Sequence, residues 1–414
     1  MSRFDTSAIT DPALAAMFEC DPILVDVAPA LSVVPGMTPN LILTSGPPLE
    51  WREYTGGQRN AIIGGALYER LASSSDDAIA KLDAGEILVR GCHDFSCIGS
   101  LAGVTTASMP VLVLADQKTN QKAFCTLFEG AGTSRLNYGV YNEEVENNLQ
   151  YLASVIGPAL SELIHSLPEP IRVIPIMQRA LHMGDELHSR NTAASLLFLR
   201  DVMPALVSME PARAKELTSY FMTGEYFFLR ISMAACKLLA DQMSGTPGSG
   251  IVTAMAFSCK EFGIRVAGFG DRWFRGPLPK VETSGLFPGF TTDDIEVMGG
   301  ESPITETCGL GAMAQATAFP LQRYQGGSAA DMVARNLEMY EIAVAEHPWF
   351  HIPFFDYRGT PAGISVQLVA LTKIAPLMDV GIAGKNGGQI GAGCFRAPLE
   401  PFLEAARLLE ATEI

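Results

Sequence analysis

Over residues 1–142 short apolar runs alternate with stretches of helical spacing. Leu41–Thr44 reads as a strand running into the Ser45-Gly-Pro-Pro turn, and Gln58–Ala72 carries apolar residues at helical intervals. The serines at 73–75 supply caps for a short helix over Asp76–Leu82. Ile87–Val89, Pro110–Ala115 and Ala123–Phe128 are apolar runs bounded by turn residues, the pattern of buried strands.

From Glu143 to Met243 the periodicity changes to almost unbroken helix. Glu143–Ser166, Ile174–His182, Thr192–Val207, Ala212–Met222 and Phe227–Met243 have helical spacing and are separated by Pro, Gly or capping residues. Beyond it, the Gly245–Gly250 loop is expected to open a helix over Ile251–Phe262. Ile264–Ala267, Ser365–Val369 and Leu377–Val380 read as strands, and Pro398–Glu410 as a final helix. These patterns predict an α+β (mixed α/β), multidomain chain with a central all-helical block. The expected divisions are an N-terminal α/β domain over residues 1–142, a helical domain over 143–243 and a glycine-rich α/β domain over 244–414.

Composition narrows the function. The 414 residues are 48% hydrophobic and only 18% charged, enough apolar material for packed cores and too little polarity for a disordered chain. With 29 Lys+Arg against 45 Asp+Glu the formal net charge is −16, which argues against a nucleic-acid or anionic-membrane surface. No apolar run reaches bilayer length, and Met1–Asp5 lacks the basic-then-apolar order of a signal peptide. Eight scattered cysteines without a Cys-x-x-Cys pair read as buried thiols of a reducing, cytoplasmic compartment.

The densest polar cluster is His182-Met-Gly-Asp-Glu-Leu-His-Ser-Arg-Asn191. In a helix, Asp185 and His188 would share one face and Glu186 and Arg190 another. An Asp orienting a His is a device for proton transfer, and Arg190 has the forked geometry for a carboxylate or phosphate. A plain helix start with capping and surface ion pairs would use the same residues. The spacing fits neither His-Glu-x-x-His nor its inverse, so no metal and no cofactor are expected. Arg265 to Arg275, with Asp271 and Arg272, is a strand entering a two-glycine turn where arginines can hold an anion or simply close the turn. Weaker signals are Glu301, Ser302, Thr305 and Glu306 before a small-residue helix, Asp356, Arg358 and Thr360 in a Gly-Pro turn, and Gln389 in Gly387–Gly393. His93 follows an apolar strand and is the kind of lone histidine that usually packs.

The strings His182–Ala194, Phe227–Lys237, Gly268–Phe274, Ser302–Thr307, Phe355–Ile364 and Gly388–Gly393, with Val33–Met37 and Gly46–Pro48, resemble the YlbE/YahG-like family nearly throughout. Its members look like subunits of the oxamate carbamoyltransferase system of anaerobic allantoin breakdown, which work with an FdrA-like protein. The resemblance implies an oligomer that moves a carbamoyl group between carbamoyl phosphate and a small amide such as oxamate, or the reverse with oxalurate. No Ser-x-Arg-Thr-Arg or His-Pro-x-Gln signature occurs, so such chemistry needs a site unlike that of the aspartate- and ornithine-type transferases. In this frame His188, Asp185 and Glu186 are the expected catalytic groups. Arg190, Asn191, Arg265, Asp271, Arg272, Glu301, Ser302, Thr305, Glu306, Asp356, Arg358, Thr360, Gln389 and His93 are the expected substrate or anion binders. Two alternatives stand beside it: an amide or ureide hydrolase or ligase using the same site, and a non-catalytic ligand-binding or structural subunit of an FdrA-like complex.

Overall fold

The computed structural model describes residues 11–224 and 226–412, so the Met1–Asp5 leader reading lies outside the described residues. The chain has an α+β fold. One sheet has the strand order Cys97–Ile98, Lys122–Thr126, Pro110–Asp116, Pro22–Pro29, Ile171–Arg172, antiparallel except for the first pair. Pro110–Asp116 is buried at every position because both faces of this sheet are covered. Leu112 and Leu114 point with Cys125 into the helical core, whereas Val111 and Val113 point with Phe124 toward Leu41 and Leu43.

The helices expected between Glu143 and Met243 form at Glu143–Tyr151, Gly157–His165, Val173–His182, Thr192–Leu206, Pro211–Phe221 and Tyr226–Asp241. A π-helical turn over Leu152–Ile156 joins the first two. Asn142 caps the first helix by accepting from the Val145 amide, and Glu210 caps the fifth through Arg213. Tyr226–Asp241 is buried from Phe227 to Ala240, the signature of a helix packed on all sides. One apolar core joins Leu14, Leu114, Phe228 and Ile304, so residues from all three sequence segments pack together. A second core, with Phe262, Phe274, Leu377 and Phe402, underlies the C-terminal third.

Two expected elements differ. Ile251–Phe262 is not a helix but two strands, Val252–Phe257 and Phe262–Val266, joined by a turn in which the Ser258 amide donates to Glu261 O at 2.8 Å. The apolar run is six residues long and stops at polar turn residues, which favours a strand. The Gly245–Gly250 loop therefore has no helix behind it. Ser365 does not begin a strand; its hydroxyl accepts from the Leu368 amide at 3.3 Å and caps the helix Val366–Thr372. Among the described residues no helix is long and apolar enough to cross a membrane.

Candidate functional site

After His182, which ends the preceding helix, the segment to Asn191 is a turn between two helices rather than a helix. Gly184 has φ +100° and Leu187, buried and non-glycine, has φ +69°. The strained turn is held from inside: the Glu186 carboxyl accepts from the Ser189 and Arg190 amides, and Asp185 accepts from the Ala194 amide at 2.8 Å, capping the next helix. The Asn191 side chain donates to His188 O at 3.0 Å. Arg190 donates to Gly184 O at 3.1 Å and lies 3.4 Å from Asp185. These groups shape the turn that presents His188.

The partner of His188 is Glu306, not Asp185. Nδ1 lies 2.8 and 3.0 Å from the two Glu306 oxygens. Glu306 also accepts from the Ala312 amide at 3.1 Å, the Asp379 amide at 2.9 Å and the Thr305 hydroxyl at 2.9 Å. Burial disfavours charge on the imidazole, but the Glu306 carboxylate bonded to it, with Asp379 beyond, outweighs burial and raises the His188 pKa. Asp379 itself is pushed up to about 6, by burial first and then by the charge of Glu306, while Gln315 donates to it at 2.7 Å. Burial and Asp379 push Glu186 well above the usual carboxylate range.

His188 lines a cleft partly open to solvent; the space within it and at its open mouth totals about 700 Å³. Ser302 and Gln389 share it; Thr305 Oγ1 is 2.9 Å from Ser302 O as well as from Glu306 Oε2, its one proton serving either acceptor. Its charged lining includes Glu129, Arg135 and Arg230. Both oxygens of Glu129 are engaged, with Leu136 N at 2.7 Å and with Asn137 N and Nδ2 at 3.0 and 2.6 Å, and burial raises its pKa. Arg135 folds back on its own loop, donating to Gly130 O at 3.3 Å and Ala131 O at 3.0 Å. A second, open depression shares Phe128, Tyr138, Ser189, Tyr226 and Gln389 with it and is also bounded by Phe287.

Other expected site residues lie elsewhere. Glu301 is buried behind the cleft, accepting from the Gly46 and Gly99 amides at 3.1 and 2.8 Å, with His93 Nε2 at 3.9 Å. Burial, then the nearby Lys237 and Arg265, keeps the His93 pKa well below normal, so that pair is not a charged bridge. Arg265 bonds Asp94 and Asp271 and sits over the Trp273 ring at 4.7 Å. Arg272 faces Glu404 at 3.5 Å, and Arg358 bonds Glu346 at 2.6 Å over the ring of Tyr340. Asp356 occupies a left-handed turn at φ +52°, and Thr360 is buried. Arg265, Asp271, Arg272, Asp356, Arg358 and Thr360 do not line the cleft.

Sequence reasoning gave no site role to Arg230 or Asp379. Each had one signal: Arg230 is a charge flanked by apolar residues in a helix with few polar positions, and Asp379 sits inside an apolar strand.

A partly open cleft with a buried histidine–carboxylate pair in its wall has the form of a small-molecule site. Comparison with known proteins narrows this. Residues 87–302 match the family model described as oxamate carbamoyltransferase subunit AllG. The chain is 35% identical over 395 residues to the Escherichia coli (strain K12) oxamate carbamoyltransferase subunit AllG, covering 94% of each. It is 33% identical over 405 residues to the uncharacterized protein YahG of the same strain, covering 96% of this chain and 85% of YahG. A crystal structure of a conserved protein of unknown function from Enterococcus faecalis V583 superimposes with a TM-score of 0.93 at 35% identity, over 97% of this chain and 96% of that one. The chain belongs to the AllG/YahG-like family.

Proposed function

We propose that this protein is a carbamoyltransferase, or the catalytic subunit of one, acting between carbamoyl phosphate and a small amide such as oxamate. The observation that carries the reading is the buried His188–Glu306 pair in the wall of a partly open cleft; the relative named as an oxamate carbamoyltransferase subunit supports the reaction class. Glu306 holds Nδ1, so Nε2 is the ring nitrogen left for substrate. In the forward direction the amide nitrogen attacks the carbamoyl carbon and gives a proton to Nε2. The C–O bond to phosphate then breaks, and its electron pair leaves with the phosphate. A base with a raised pKa is the stronger proton acceptor, and the rate should climb as pH rises through that pKa and the imidazole becomes neutral.

The relative's name includes the word subunit, and this favours an assembly. The FdrA-like protein is the proposed partner, and a chain without chemistry of its own is the second reading. The test uses the full chain, with and without that partner, incubated with isotope-labelled carbamoyl phosphate and oxamate. Mass spectrometry should find labelled oxalurate, lost in His188→Gln. Product from the mixture alone would move the chain toward the supporting role. No product from either folded preparation would end the proposal for this acceptor.

A further inference from the structure

Arg230 lies on the helix Tyr226–Asp241, lines the cleft and is only 4% exposed. Its Nε and Nη1 have no hydrogen-bond partner. Buried guanidinium groups are normally paired, because an unpaired buried charge is costly. Glu129, the carboxylate in the cleft lining, already receives backbone and Asn137 donors at both oxygens. Arg135 is tied to the carbonyls of its own loop and to Glu144 at 3.3 Å. Arg230 thus brings unengaged donors and a positive charge to the same cleft as His188, where Ser100 and Ser302 add hydroxyl groups.

We infer that Arg230 is the oxyanion subsite of the cleft, taking a phosphate or carboxylate group of a small ligand whose remainder extends toward His188. The assignment rests on the cleft being the substrate site and does not depend on which reaction occurs there. A guanidinium offers parallel donors that match either oxyanion, so the chemistry is shared and the source is a matter for experiment.

Calorimetric titration of the full chain with inorganic phosphate and, separately, with oxamate tests the inference. At least one anion should bind saturably, and Arg230→Gln should weaken that binding about ten- to a hundredfold, as expected for a charged hydrogen bond. Arg230→Lys keeps the charge but loses the fork and should fall between the two. It also serves if Arg230→Gln does not fold. Phosphate binding alone would put the leaving group at Arg230; oxamate binding alone would put the acceptor carboxylate there. Either supports the subsite. Equal affinity in wild type and both folded variants, or no binding of either anion to the wild type, would overturn it. Carbamoyl transfer is read separately. Binding without transfer would sink the proposed reaction alone, and transfer undiminished in Arg230→Gln would sink the subsite alone.

Discussion

Replacing Glu306 by Gln should lower the pKa of His188 while leaving the surrounding structure paired. Glu306 Oε1 accepts from His188 Nδ1 and from the Ala312 and Asp379 amides, and Oε2 receives the Thr305 hydroxyl. A glutamine carbonyl placed at Oε1 keeps the first three. Its amide at Oε2 can donate to Thr305 Oγ1, whose own hydrogen has Ser302 O as acceptor at 2.9 Å; Nδ1 keeps its 2.8 Å bond to the carbonyl and loses the second oxygen it now has at 3.0 Å, which lowers the pKa further. Glu306→Ala would instead bury an imidazole and two amides without acceptors. What Glu306→Gln removes is charge. Hydrogen bonds to charged groups contribute about 1.5–3 kcal/mol against roughly 0.5–1.5 for neutral ones. The difference, roughly 1–2 kcal/mol at 1.36 kcal/mol per pH unit, corresponds to a fall of about one unit. Asp379 opposes part of this. Its pKa of about 6 is held up by burial and by Glu306, so it ionises more readily in the variant and restores some negative potential. Adding Asp379→Asn should therefore lower the His188 pKa further.

The assay is a pH titration of the ring signals of the six histidines by nitrogen-15 NMR, with His188 assigned from His188→Gln. Stability gives a second reading with a definite sign. The folded-state pKa of His188 is raised, so its contribution is present below the unfolded value and is lost as pH rises through the folded one. Glu306→Gln should flatten that part of the profile. A His188 pKa unchanged or raised in both the single and double variants would refute the assignment of Glu306 as the charge that controls it.

Gly311 has φ +56°, and a Cβ there would stand 2.1 Å from Glu306 Oε1 and 3.1 Å from His188 Cβ. Gly311→Ala should cost about 1–3 kcal/mol in urea unfolding and lower the His188 pKa by displacing Glu306. Burial raises the Glu301 pKa from 4.5 to about 8 despite its two backbone donors, so its contribution to stability is full below 4.5 and is lost as pH climbs through 8. Urea midpoints between pH 5 and 8.5 should show that fall, and Glu301→Gln should remove it; an identical slope in the variant would contradict the burial argument. Lys237 is buried and bonded to Asp241. Asp241→Asn, which strands the ammonium, should cost about 3–5 kcal/mol, and Lys237→Met distinctly less, because Asp241 keeps some contact with water.

Periodicity located the helices between Glu143 and Asp241 because their apolar spacing and caps are local properties. It failed at Val252–Phe257, where six buried residues fit a strand or a buried helix equally and only the turn at Ser258–Glu261 decides. The site was legible in its residue types more than in its pairings. His188 and Glu306 were both picked out, yet Asp185 was paired with His188 through an assumed helix. The left-handed Leu187 breaks that helix, and a contact across 118 positions leaves no spacing signal. The arginines in turn motifs attracted attention because they sit in polar company. That company is the reason they are already paired: Arg265 with Asp94 and Asp271, Arg358 with Glu346. Arg230, in apolar company, keeps both Nε and Nη1 unengaged.

The helix Tyr226–Asp241 explains how two distant turns are held to hydrogen-bond tolerance. The Ser232 hydroxyl lies 3.3 Å from Leu187 O, within the His188 turn, and the Cys308 thiol donates to Cys236 O at 3.3 Å, just after Glu306. Ser232 and Cys236 are four residues apart and so share a face. Both halves of the His188–Glu306 pair are thereby referenced to one rigid element instead of to each other. Tyr226 and Arg230, also four apart, line the cleft from the same helix, and the Tyr226 hydroxyl donates to Ser189 O at 3.3 Å. A rigid element fixes the distance from Arg230 to the His188 turn more closely than loops can. This helix is therefore buried from Phe227 to Ala240, with Ser232, Arg230 and Tyr226 placed where a turn or the cleft must be held.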